Sequence, residues 1–113
     1  MKTYLLLIKG SFSEWNSLSD AQRKAAVENF GTFAKSLGAK GYMKGGDGCT
    51  ERSFRIFSRN DSLENALLNP STKDMVTGYF LFQAPSESEA FEIAKSCPAF
   101  ACGEYVELVS CSG

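Results

Sequence analysis

The stretch M75-V-T-G-Y-F-L-F-Q83 decides the fold of this chain. Its aromatic and β-branched side chains favour extended backbone, and Gln83-Ala84-Pro85 ends the run. A strand with one face on a core and the other in water alternates apolar with polar residues, whereas Tyr79, Phe80, Leu81 and Phe82 are apolar without interruption. The same holds for Y4-L-L-L-I8, which ends before Gly10-Ser11, a turn signal. Both segments therefore read as strands that need cover on both faces.

Two helices lie between the strands. Ser19 and Gln22 have capping-box spacing, Ala26, Phe30, Phe33 and Leu37 recur at the helical period, and Gly38 is the expected end. Ser86 and Glu89 repeat the capping box, Ala90, Ala94 and Cys97 share a face, and Pro98 stops the helix. Further strands are expected at Gly41–Lys44, ending at Gly45-Gly46, in the stretch R52-S-F-R-I-F-S58, and from Tyr105 to Ser110. The segment S11-F-S-E-W-N-S-L18 reads as a loop carrying Trp15, which either lids a pocket or packs on the first helix. Residues 60–74 are polar, with a helical turn or two in S62-L-E-N-A-L-L68 and a turn at Asn69-Pro70-Ser71.

The resulting order is β-α-β-β-(short helix)-β-α-β, a single domain over residues 1–113. It is an α+β fold with a ferredoxin-like antiparallel sheet, one extra strand, and two helices on one face. Two helices cover one face only. The simplest cover for the other is the same face of a second copy, a homodimer forming a shared α/β barrel, with roughly 1,600 Å² buried in total.

Composition narrows the function classes. With 113 residues, 43% of them hydrophobic and 22% charged, the chain can bury a core without disulfides or a metal. Twelve basic and thirteen acidic side chains leave a net charge of −1, and no Lys/Arg run suits a phosphate backbone, so nucleic acid is not an expected partner. The apolar run near the N-terminus is too short for a signal peptide core or a membrane span, so the reading is cytoplasmic, with no membrane partner. Thiols stay reduced there, and the four cysteines imply no disulfide. Cys97, Cys102 and Cys111 lack the paired spacing of a zinc site. Cys97 reads as a core residue, and neither metal nor cofactor is expected.

The order of Y4-L-L-L-I-K-G10, G41-Y-M-K-G-G-D-G48 and the stretch from Gly78 to Leu108 resembles the YCII-related proteins, including their DGPF-containing branch, which form dimeric α+β barrels. The matching pieces are Gly45-Gly46, Gly78-Tyr79-Phe80, Cys97-Pro98, and Gly103 through Leu108. The resemblance implies a barrel dimer with a cleft for a small molecule. The chain departs from the family where its chemistry would lie. DGPF is replaced by N69-P-S-T-K-D-M-V-T-G-Y-F80, and with no histidine at all the chain lacks the His-Asp pair that the resemblance would supply for acid-base work.

Four residues are candidates for the cleft. Asp47 follows a glycine run whose N–H groups can meet an anion or simply form a turn or bulge. Arg55 sits among apolar neighbours and needs a partner, Asp47 or Glu107. Tyr79 and Tyr42 are placed at the same mouth. These residues form either an internal ion pair or a pocket for a small anionic ligand, with Arg55 as clamp and Tyr79 as donor or acid. The functional expectation is a small-molecule-binding or regulatory module without an acid-base histidine; the alternative is an isomerase- or lyase-like enzyme using Asp, Arg and Tyr.

Overall fold

A computed structural model describes residues 1–60 and 72–112. The expected helical turn within 62–68 and the turn at 69–71 lie outside the described residues. Four strands form one antiparallel sheet: β1 (Lys2–Gly10), β2 (Met43–Gly48), β3 (Met75–Ala84) and β4 (Tyr105–Cys111), in the order β2-β3-β1-β4. The helices are α1 (Phe12–Ser17), α2 (Asp20–Ala39) and α3 (Glu87–Lys95), followed by a 3-10 turn over Pro98–Cys102. The fold is α+β with an open sheet.

The uninterrupted apolar strands divide between two faces. Tyr4, Leu6 and Ile8 of β1 and Phe80, Phe82 and Ala84 of β3 form one buried face, packed with Phe33 and Leu37 of α2, Ala90, Ile93 and Ala94 of α3, and Cys97. Tyr4 stacks on Phe82 at 5.8 Å between centroids, and Phe33 meets Phe80 edge-on at 5.2 Å, both favoured ring geometries. Leu5, Leu7 and Leu81 on the opposite face stay half-buried, and Val109 and Tyr79 are exposed. Polar pairs frame these leucines. Gln83 Nε2 donates to Thr3 Oγ1 at 3.2 Å, and Lys9 Nζ meets Glu107 Oε1 at 3.3 Å.

Local signals explain the helix starts. Ser19 Oγ accepts from Gln22 N at 3.1 Å while Gln22 Oε1 accepts from Ser19 N at 2.8 Å, closing both halves of the capping box. Ser86 Oγ accepts from Glu89 N at 3.1 Å. Helix α2 runs past Gly38 to Ala39, and Gly41, at φ 73°, makes the left-handed turn into β2.

Three expectations are corrected. The stretch around Trp15 is a helix, not a loop, because Ser11 caps it, accepting from Glu14 N at 3.3 Å. Strand β2 does not stop at Gly45-Gly46 but runs through them to Gly48, with a register irregularity between Met43 and Gly45. The extra strand expected at 52–58 is absent from the described sheet: Phe54 makes only an isolated bridge, and Ile56 and Phe57 are exposed. Apolar residues on both faces of that stretch would need cover on both sides, and neither side receives it.

Candidate functional site

A cavity of about 450 Å³ lies between α1, α2 and the end of the sheet where β1, β2 and β3 meet. That volume is in the range of small-ligand sites. Its wall is mainly Ile8, Phe12, Trp15, Val27, Phe30 and Phe80. Capping by Ser11 is what brings Phe12 and Trp15 to this wall. Glycines let the backbone approach: an added Cβ at Gly46 would stand 2.7 Å from Phe80 Cδ1 and 2.8 Å from the Tyr79 carbonyl oxygen.

Glu104 is the polar centre of this site. The 3-10 turn closes at Gly103, whose φ of 77° suits glycine, and the chain then delivers Glu104 beside Gly10. An added Cβ at Gly10 would lie 2.9 Å from Glu104 Cγ. Glu104 Oε2 accepts the hydroxyl of Thr77, whose Oγ1 is also 3.3 Å from the Ile8 carbonyl oxygen. A hydroxyl has one proton, so the carboxylate and the carbonyl compete for it. Burial pushes the Glu104 carboxyl above the usual carboxylate range, and the Thr77 hydrogen bond opposes that shift in part. Glu104 enters none of the ion pairs among the described residues.

The cysteines around the site are thiols. Cys49 lines the cavity, and burial, then Asp47, raises its pKa. Cys97 is buried in the core as expected, although it lies past the end of α3, in extended backbone just before the 3-10 turn, and its pKa is pushed up to about 11, chiefly by burial. Burial and the Glu104 charge raise Cys102. Thiols held in the protonated form are poor nucleophiles. Among the described residues no three His, Cys, Asp or Glu side chains are grouped to hold a metal ion, and no helix is long and apolar enough to cross a membrane.

The four residues singled out from sequence do not converge. Asp47 borders the cavity, but it stands opposite Tyr79 in the β2–β3 register. Strand alternation sends both side chains to the face away from the helices, and Asp47 Oδ1 accepts from Gly48 N at 2.8 Å. Arg55 is exposed and enters no ion pair among the described residues, while Glu107, offered as its partner, pairs with Lys9 instead. Tyr42 donates to Glu89 Oε1 at 3.2 Å, outside the cavity, and its pKa is raised by burial and by Glu89.

Sequence reasoning missed Glu104 and Thr77. Two signals were present: a lone threonine inside the apolar run of β3, and a glutamate directly after a glycine that ends a turn. The chain matches no protein-family model and no curated protein.

Proposed function

We propose that this protein is a small-molecule-binding module, a ferredoxin-like domain that pairs with a second copy through the open sheet face and holds its ligand between α1, α2 and the sheet. The observation that carries the reading is the apolar cavity with the half-buried Glu104 at its wall. A strand order of β2-β3-β1-β4 with two longer helices against one face supports the ferredoxin-like arrangement. The half-buried Leu5, Leu7 and Leu81 support the pairing, because a second sheet would remove them from water. Kinship with the YCII-related proteins rests on Gly45-Gly46, Gly78-Tyr79-Phe80 and Cys97-Pro98 and is part of this proposal. An enzyme built on Asp47, Arg55 and Tyr79 has less support, since these side chains do not meet in one cleft among the described residues.

The test uses Trp15, the single tryptophan of the chain, as reporter. Compounds from a fragment collection that quench or shift its fluorescence are expected to lose their effect in Ala34→Phe, which fills the cavity from α2, while circular dichroism stays unchanged. Fragments that bind the variant as well as the parent would place their site elsewhere and contradict the reading.

A further inference from the structure

The ligand's chemical class follows from the charges that line the cavity. Among the described residues its wall contains no Lys or Arg, and the chain has no histidine. Glu104 is its one acidic side chain on the helix side of the sheet, Asp47 bordering it from a strand position whose side chain faces away. The anion expected from the Arg55 reading would find no positive partner here. Glu104 in turn presents a different need: it lines the same cavity as Ile8, Phe12 and Trp15, with Thr77 donating to it and no ion-pair partner among the described residues. Carboxylates removed from water are normally paired. Here the missing partner can come from outside.

Phe12, Trp15, Phe30 and Phe80 supply the complementary feature. Aromatic faces attract cations as well as apolar bodies, and four of them share a wall with one carboxylate. Phe80 is held by Phe33 at 5.2 Å and Phe30 at 6.4 Å, so part of that surface is preformed. Hydrogen-bond geometry adds direction. Thr77 has a single proton to give to Glu104, which leaves further lone pairs of the carboxylate for an N–H donor.

From this arrangement we propose that the cavity binds a compact apolar primary amine in its protonated form, with the ammonium group on Glu104 and the hydrocarbon or aromatic body against Phe12, Trp15, Phe30 and Phe80. The inference rests on the small-molecule-binding reading above and adds the ligand's charge. It assigns Glu104 as the residue that selects cations, with Thr77 orienting its carboxylate.

A matched series tests it: 2-phenylethylamine, 2-phenylethanol and phenylacetate, titrated near pH 8 into the wild-type protein, with Trp15 fluorescence and thermal shift as independent readouts. The amine is expected to bind at least tenfold tighter than the alcohol, about 1.4 kcal/mol, with the carboxylate weakest. In Glu104→Gln, which keeps an acceptor for Thr77, the amine should lose that advantage while the alcohol binds as before. If the alcohol or the carboxylate binds as well as the amine, the cationic assignment is overturned and the binding cavity stands. If none of the three binds by either readout, both readings fall. Should Glu104→Gln not fold, the wild-type series alone still decides, because the ranking of the three compounds needs no variant.

Discussion

Alanine at Gly45 and at Gly46 should have unequal effects, although the two glycines are adjacent. A Cβ at Gly46 would stand 2.7 Å from Phe80 Cδ1 and 2.8 Å from the carbonyl oxygen of Tyr79. Neither can move freely: the Phe80 ring is in contact with both Phe30 and Phe33, and Tyr79 lies in the ladder with partners on both β1 and β2. Overpacking of this kind costs about 1–3 kcal/mol, and for a domain of this size each kcal/mol lowers Tm by roughly 4 °C. At Gly45 an added Cβ meets nothing within 4 Å, and neither backbone has a positive φ. Alanine there should be neutral or stabilise by up to about 1 kcal/mol, by restricting the unfolded chain. Urea denaturation of Gly45→Ala and Gly46→Ala alongside the parent measures the contrast as a difference in midpoint. Equal midpoints for the two variants would mean that β2 does not run through the glycines with Gly46 facing Phe80, and that the strand ends before them as the sequence alone suggests.

Other perturbations probe the core, the site and the open face. Phe82 is fully buried between the sheet and the helices, so Phe82→Ala should cost about 3–5 kcal/mol; a loss below 1 kcal/mol in denaturant titration would contradict the packing. Glu104 faces Thr77 on β3 and Cys97 and Cys102 at the 3-10 turn, and Glu14 Oε2 of α1 lies 3.8 Å from where a Cβ on Gly103 would sit. Because its folded pKa is raised above the ordinary glutamate value, the folded protein holds that proton more tightly than the unfolded chain, so this group's contribution to stability falls as pH rises from about 4.3 through the raised value. Glu104→Gln should remove that decline, and thermal melts across pH 4 to 8 that keep the parent's slope would count against a buried, raised carboxyl. The parent should sediment as a dimer at micromolar concentration and Leu5→Glu as a folded monomer, since the charge would be set in the middle of the leucines on the open face; a monomeric parent would rule out the pairing.

The framework was legible wherever one local rule decided the outcome. Ser19 with Gln22, and Ser86 with Glu89, marked both longer helices, because a capping box is a pattern of near neighbours. The double-faced hydrophobicity of Y4-L-L-L-I8 and Y79-F-L-F82 signalled a sheet with two demanding faces, and the structure buries only the helix-covered one fully. Ser11 with Glu14 carried the same spacing but was hidden by the polar residues around Trp15, so α1 and its wall of the cavity were missed. Glycines in β2 misled in the other direction: read as a break, they turned out to be where the strand passes close to Phe80. The site was less legible, since Arg55 was chosen for its apolar neighbours in a strand that does not form, and Tyr79 leaves the cavity by alternation. Glu104 and Thr77 are 27 residues apart and meet only because β3 and β4 flank β1. No spacing rule in the sequence contains that pairing.

The account depends most on Glu104 being a half-buried carboxyl that awaits a cation. Its carboxyl carbon, followed by NMR in a pH titration with and without 2-phenylethylamine, reports this directly. The free protein should titrate Glu104 above the ordinary glutamate value of about 4.3, and saturation with the amine should move the midpoint down, as a positive charge beside the carboxylate requires. A Glu104 that titrates at the ordinary value and ignores the amine would contradict the central claim.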